Sequence, residues 1–514
     1  MIINLEKYSE VTLMKKLTLI TLIALIAIGV GGCNGFLNEE PQAQIATSNA
    51  YQTADDASRA VTSAYYRLQA NNWCCDAVDR NGYMYWVIDN VGTDDAIKGG
   101  ESGGDQVYAQ KVAYYTLTPT NRTAEEAWNN LYIDIRYANI VLDKLPDIEM
   151  DSDLKKRYMA EAKFLRGYDY FLLVQTFGDV PLVKTTDVEA YDKKRAPASD
   201  VLKQAISDFK DAASVLPTKS QYSSEDIGRA SKGAAQAYLG KLYMWMGDFT
   251  NAEDWLGRVI DSKEYSLATD YGMIFTKAGE NGPGSIFEIQ YNYNPPKTQQ
   301  NPMGVVQGSR SMYGWGFNAP TQDFVDEFES GDPRLKQSVY ENGDTLRDGR
   351  VADVGNSPSG YLNYKEYVGT SEAPGGFFNS ANNEIMMRFA KVLLWYAEAA
   401  NENGHTQKAL DALNRVRKRA RQGNSNVLPD VTVTDKTKLR KAIWHEERVE
   451  YGNEYDRRFD LLRTGRMGDV MRGYAQKYNT PKGANFKDGK NEVLPIPAAE
   501  ISLSDGKLTQ NPGY

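Results

Sequence analysis

Two stretches more than 150 residues apart share one spacing of small and apolar side chains. "ASKGAAQAYLGKLYMWMGDFTNAEDWLGRVI" contains Gly247, Ala252, Leu256 and Val259, and "FAKVLLWYAEAANENGHTQKALDALNRVRKRA" contains Gly404, Ala409, Leu413 and Val416. Both proceed in steps of five, four and three. Each reads as a helix, a glycine turn and a second helix. The alanine lets the paired helices approach closely, and the leucine and valine fill the seam between them. Such a pair cannot bury its apolar stripe alone, so a repeated pair predicts a stack of pairs around one continuous core.

Within the first copy, Leu239, Gly240, Tyr243, Gly247, Ala252 and Leu256 follow the tetratricopeptide spacing. Further helices show a 3.6-residue apolar period. "TAEEAWNNLYIDIRYANIVLDKL" puts Trp128, Leu131, Ile135 and Leu142 on one stripe, with Pro146 past its end. "LKKRYMAEAKFLRGYDYFLLVQTF" stops at "GDVP", and "SDVLKQAISDFKDAASVLP" carries a serine cap and a proline stop. Another helix is expected from roughly Thr437 to Leu462. The expected fold class is mainly α, a tetratricopeptide-like helix-pair scaffold with an irregular lobe carrying short β-hairpins.

The N-terminal region has a different character. In "MKKLTLITLIALIAIGVGGCNGFLNEEP", Lys15 and Lys16 precede an apolar run from Leu17 to Val30. A membrane span needs about 20 apolar residues, whereas a secretory leader needs roughly 7–15 behind a basic start. A leader over residues 1–32 is expected, with translation starting at Met14, because "MIINLEKYSEVTL" places two glutamates ahead of the basic pair. "VGGC" looks like the lipobox of bacterial lipoproteins, in which Cys33 is diacylated and becomes the new N-terminus. The remainder, 33–514, is read as a single domain.

The chain has two histidines, three cysteines and a formal net charge of −9. The acidic balance argues against nucleic acid, whose phosphates need a basic face. No CxxC, HExxH, P-loop or strand-following GxGxxG occurs. No cofactor and no metal are therefore expected. "HEERVEYGNEYDRRFDLLRTGR" groups Glu446, Glu447, Glu450 and Asp460, and a retaining glycosidase needs two carboxyls about 5–5.5 Å apart. Arg448, Arg457, Arg458 and Arg463 intervene at helical spacing, however, so ion pairing accounts for the run and no enzyme is expected. Asp94 and Asp95 in "VGTDDAIKGGESGGD" lack EF-hand spacing and read as part of a solvated loop.

Residues near 71–120 and 265–385 are rich in Gly, Asn, Pro, Tyr and Trp, and are expected to pack on the helices as the working face. The whole chain has 33 Tyr and 8 Trp against 16 Phe. Sugars present apolar C–H faces ringed by hydroxyls, so they bind on exposed aromatic rings edged by polar groups. The first segment offers Trp73, Tyr83, Tyr85, Trp86 and Asn90; the second offers Tyr291, Tyr293, Tyr313 and Trp315, with Arg310 nearby. Trp86 and Trp315 rank first, then Tyr291 and Tyr313. Glycines flank Trp315 and leave its indole unshielded. Adjacent Cys74 and Cys75 form either a strained vicinal disulfide beside Trp73 or two unbridged thiols.

Nearly end to end, these residues resemble the SusD/RagB-like outer-membrane nutrient-binding lipoproteins of Bacteroidetes. "CNGFLNEEP", "EAKFLRGYDYFLLVQTFGDVPLV", "MRFAKVLLWYAEAANENG", "EERVEYGNEYDRRFDLLRTG" and "VLPIPAAEISLSDGKLTQNPGY" carry the resemblance. Glu447 departs from it, standing where many members have arginine, which bears on a structural salt bridge. The resemblance implies four tetratricopeptide-like helix pairs and a less regular ligand-bearing lobe. It also implies a lipid-anchored protein on the cell surface that captures glycan and passes it to a SusC-like TonB-dependent transporter. Two other readings are peptide capture by the same fold and a helical interaction module whose aromatics are buried.

Overall fold

The computed structural model describes residues 50–70, 85–187, 193–294, 297–373 and 380–514. The expected leader, Cys33, Trp73, Cys74, Cys75, Tyr83 and the Tyr293 side chain lie outside the described residues. The fold is mainly α. Its longer helices are α1 (Ala54–Ala70), α2 (Arg122–Lys144), α3 (Ser152–Phe177), α4 (Ala198–Val215), α5 (Lys232–Trp245) and α6 (Phe249–Asp261), then α7 (Phe389–Glu402), α8 (Thr406–Ala420) and α9 (Lys436–Tyr451). Each of α1 to α8 packs on the next, so α1/α2, α3/α4, α5/α6 and α7/α8 form four consecutive pairs. Among the described residues, no helix is long and apolar enough to cross a membrane.

The repeated spacing forms matching turns. Gly247 and Gly404 sit at φ +70° and +82°, a left-handed conformation that side chains rarely adopt. In each turn the following residue bonds back five positions: the Asp248 N–H to Tyr243 O (3.0 Å) and the His405 N–H to Ala400 O (2.8 Å). This is the Schellman closure of a helix end. Asp248 then caps α6 by accepting the Asn251 N–H at 3.1 Å. Ala252, Leu256, Val259, Ala409, Leu413 and Val416 are all fully buried, as the seam reading requires.

Helix α7 packs directly on α6, although residues 262–388 come between them in sequence. That segment forms a lobe with short antiparallel strand pairs. Strand β1 (Ala96–Gly99) pairs with β5 (Phe317–Pro320), and β2 (Ser285–Ile289) with β8 (Glu384–Arg388). Strands β3 (Asn292–Asn294) and β4 (Lys297–Gln299) form a hairpin, with Tyr293 opposite Thr298, and β6 (Val339–Tyr340) pairs with β7 (Leu362–Asn363). Phe287 of β2 enters the helical core edge-on to Phe164, 5.0 Å between ring centroids. Tyr340, Leu362, Tyr364 and Tyr367 build a small second core inside the lobe.

Two local expectations need correction. The helix read as Thr437 to Leu462 is broken, with α9 ending at Tyr451 and a second helix, α10, spanning Arg457–Arg463. Asn453 and Tyr455 take φ of +62° and +66° between them, which no helix tolerates. The loop holding Asp94 and Asp95 is not solvated: both carboxylates are buried against arginines of the C-terminal region. The Arg448 Nε–H donates to Asp95 at 2.8 Å, and the Arg457 Nη2–H to Asp94 at 2.8 Å.

The charged run folds into buried ion pairs. Arg334 from the lobe donates to Glu446 (2.6 Å) and Glu450 (2.9 Å) on α9 and to Asp332 (2.7 Å). Arg388, at the end of β8, donates to Glu450 (2.5 Å) and Glu454 (2.7 Å). Lys365 donates to Glu454 at 2.7 Å. Although burial opposes ionisation, Arg388, Lys365 and Lys391 hold Glu454 down to about 2, and Arg419, Arg388 and Arg334 hold Glu450 well below the usual carboxylate range. The lobe is thus tied to the helical scaffold by charges that water does not reach.

Glu447 contributes in the opposite direction. It is buried beside Glu398, Asp460 and the cations Arg463 and Arg466, and its Oε1 has no hydrogen-bond partner among the described residues. Burial, with Asp460 and Glu398 adding, pushes its carboxyl well above the usual range. Its folded-state stabilisation is therefore complete below the ordinary glutamate value of about 4.3 and is lost as pH rises toward the folded value. Glu447→Gln does not titrate. Its stability relative to the parent should rise from about pH 5 upward, by up to about 1.4 kcal/mol per pH unit. Urea midpoints at pH 5, 6.5 and 8 check this, and a gap that does not change with pH would remove the account of Glu447.

Candidate functional site

The β1–β5 pairing aligns Ala96 with Pro320, Ile97 with Ala319 and Gly99 with Phe317. It sets the glycine-rich loop after β1 against the turn before β5, and the Gly100 N–H donates to Gly316 O at 2.9 Å. That turn is tied at nearly every residue. Ser309 O accepts the N–H groups of Met312 (2.9 Å) and Gly314 (2.7 Å), the Trp315 N–H donates to Val305 O (2.7 Å), and the Gly316 N–H donates to Gly308 O (2.8 Å). The Ser309 hydroxyl accepts the Ser311 N–H and donates to the Asp353 carbonyl, clipping the turn to the lobe.

This wiring holds Tyr313 at φ +76°, ψ +13°, a left-handed conformation that costs a bulky residue about 1–3 kcal/mol. Its ring faces solvent, 78% exposed. Trp315, two residues on, is half-buried against the main core. Phe317 packs on Trp86 at 5.3 Å in the same core that Trp315 touches, so the strand following the turn is fixed by an aromatic pair. A Cβ at Gly314 would lie 2.2 Å from the Gly308 backbone, which has no room to yield. Gly314→Ala should therefore displace the turn and weaken binding at this site at least tenfold while the helical circular dichroism is unchanged. Unaltered affinity would show that the turn's shape is not needed.

Charged groups edge the turn. The Arg310 Nη2–H donates to Asp105 Oδ2 at 2.9 Å, and Nη1 lies 3.6 Å from Glu101. The Lys98 ammonium donates to the Ser102 carbonyl at 3.0 Å and to the Asp105 carbonyl. Burial pulls Lys98 below the usual lysine range. Glu101, Asp105 and Lys98 were not among the residues singled out from sequence. Only the two-stranded pairing, formed across more than 200 residues, brings them to Arg310.

Of the expected aromatic platform, the structure brings Tyr313 and Trp315 together with Arg310. It buries three other aromatics and Asn90, and their expected exposure is corrected. Tyr85, Trp86 and Asn90 lie in the buried helical turn Trp86–Val91 and its N-cap, with Trp86 0% exposed. The Tyr85 hydroxyl is 2.5 Å from that of Tyr168, and the Asn90 amide donates to Asn453 O at 3.3 Å. "YWVIDNV" is apolar apart from Asp89 and Asn90, and all seven residues are buried, so it packs inward. Tyr291 is also buried, its N–H donating to Asn383 Oδ1 at 2.8 Å. Among the described residues, no group of three or more His, Cys, Asp or Glu is placed to hold a metal ion.

With the geometry defined, known proteins can be set beside it. A family model described as SusD family matches residues 272–514, and one described as starch-binding associating with outer membrane matches residues 77–244. Together they take in the lobe, the turn and most of the helix pairs. The chain belongs to the SusD family. SusD-like protein P38 of Formosa agariphila is 27% identical over 498 residues, covering 88% of this chain and 92% of that protein. A laminarin binding SusD-like protein of known structure superposes with a TM-score of 0.75 at 27% identity, over 90% of this chain and all of that one. A SusD-like carbohydrate binding protein from Bacteroides fragilis gives a TM-score of 0.76 at 25% identity, over 88% and 98%. The helix-pair stack with its inserted lobe is thus the SusD architecture.

Proposed function

We propose that this SusD-family protein is a binding protein that captures glycan against Tyr313 and Trp315. We further propose that it is held by a lipid on Cys33 at the outer face of the outer membrane, and that it passes its ligand to a SusC-like TonB-dependent transporter. The observation that carries the reading is the Tyr313 ring, 78% exposed on a turn whose backbone is bonded into a strained conformation. Strain retained at an exposed aromatic points to a function for that aromatic rather than to packing. A flat apolar face beside carboxylates and a guanidinium suits a sugar ring, whose C–H face stacks while its hydroxyls reach the polar edge.

The SusD-like structures named for laminarin and carbohydrate binding support the ligand class, and the family description supports the outer-membrane setting. The test is native affinity electrophoresis of the soluble chain from residue 34 against laminarin, starch, xylan, mannan and pectin. Radiolabelled palmitate incorporation into the full chain and a Cys33→Ala variant tests the anchor. Retardation by at least one polysaccharide and label lost with Cys33 are expected. Retardation by none would defeat the glycan reading.

A further inference from the structure

We infer that the glycan taken at this turn is uncharged, and that the charge arrangement around Arg310 excludes uronate- and sulfate-bearing polymers. This rests on the reading of Tyr313 and Trp315 as the ligand platform. Arg310 is in the same turn as Tyr313, and its stem runs along Gly316, with Cγ 3.5 Å from where a Cβ there would stand. An arginine binds a carboxylate or sulfate tightly when both arms of its fork are available to the anion. Here one arm donates to Asp105 at 2.9 Å and the other faces Glu101 at 3.6 Å. The other nearby cation, Lys98, is buried and directs its ammonium to the carbonyls of Ser102 and Asp105.

A third carboxylate belongs to a residue bonded to the turn. Asp353 is exposed, its carbonyl accepts the Ser309 hydroxyl, and its carboxylate accepts the Gly355 N–H at 2.8 Å. Among these described residues, two cations, each already engaged by protein oxygens, and three carboxylates edge the turn, a balance of one negative charge. The chain's formal net charge of −9 acts in the same direction at longer range. A polyanion meets repulsion, and the guanidinium of this turn, Arg310, is already engaged by Asp105. A neutral sugar meets acceptors instead: the Glu101 side chain, 78% exposed, is free of burial and suited to accept hydroxyls from a ring stacked beside it.

The experiment compares neutral polysaccharides with chemically sulfated and carboxymethylated forms of the same polymers, by affinity electrophoresis and calorimetry at about 0.15 M salt. It uses the parent chain, Glu101→Gln, Asp105→Asn and Tyr313→Ala. The expected result is retention of a neutral polymer and at least tenfold weaker binding of its sulfated form. Glu101→Gln should recover a fewfold of that loss, and Asp105→Asn, which releases the Arg310 fork, should recover more. Glu101 is exposed, so its variant keeps the test valid if Asp105→Asn folds poorly. Charged polymers bound as tightly as neutral ones would overturn the inference; if Tyr313→Ala still weakened that binding about tenfold, the platform reading would stand. Binding that Tyr313→Ala leaves intact would overturn both.

Discussion

Arg334→Ala is expected to lower the unfolding free energy by about 3–5 kcal/mol, the usual consequence of removing one partner from a buried ion pair. Arg334 is wholly buried, and its guanidinium meets Asp332, Glu446 and Glu450. Glu446 keeps Arg417, and Glu450 keeps Arg388 and Arg419, so the carboxylates are not abandoned. They nevertheless lose a wholly buried cation that also ties them to Asp332 of the lobe, and water cannot replace it. Arg334→Met should be nearly as damaging, because it fills the space without supplying charge. The parent should also lose stability in acid. Glu450 and Glu454 are held below the ordinary carboxylate value, so their contribution is present above that value and disappears as pH falls through the folded ones. Urea unfolding at pH 7 measures the first effect, and an unchanged midpoint would mean that Arg334 does not hold lobe and scaffold together.

Removing the exposed Tyr313 ring together with the half-buried Trp315 ring should weaken ligand retention about a hundredfold. One ring face against a sugar covers about a third of the roughly 150–250 Å² that a fully buried aromatic removes from water. At about 25 cal/mol per Å², that is about 1.5 kcal/mol, or tenfold in Kd. Tyr313→Ala is therefore expected to weaken binding about tenfold, and Tyr313→Ala with Trp315→Ala about a hundredfold. Tyr313 projects outward and its loss should leave the melting temperature in place. Trp315 touches the core, so its variant should melt a little lower. Calorimetry with the best-retained polysaccharide checks both values. Full affinity in the double variant would place the ligand elsewhere.

The helix pairs were readable because their determinants are local. A glycine at a left-handed turn, followed by alanine, leucine and valine at fixed steps, is enough to specify two helices and the seam between them. The break after Tyr451 had no such cue, since Asn453 and Tyr455 take positive φ only because the surrounding structure holds them there. Aromatic content identified the lobe but did not distinguish its faces. Tyr313 and Trp86 sit among similar neighbours in sequence, yet one ring is in water and the other is core. What separates them is tertiary: Trp86 lies under Phe317, which arrives from a strand more than 200 residues later. Asp94 and Asp95 were misread for the same reason, because the Arg448 that buries Asp95 lies 353 positions away. Long-range pairing of opposite charges leaves no local pattern.

The most direct test is a crystal structure of the protein with an oligosaccharide of the polymer it retains. One sugar ring should lie parallel to the Tyr313 ring with carbon atoms within about 4 Å of it, the next unit should reach Trp315, and a hydroxyl should point to Glu101. An oligosaccharide bound away from this turn, for instance in the apolar hollow of about 290 Å³ lined by Leu267, Met273, Ile385 and Phe389, with Tyr313 untouched, would contradict the account.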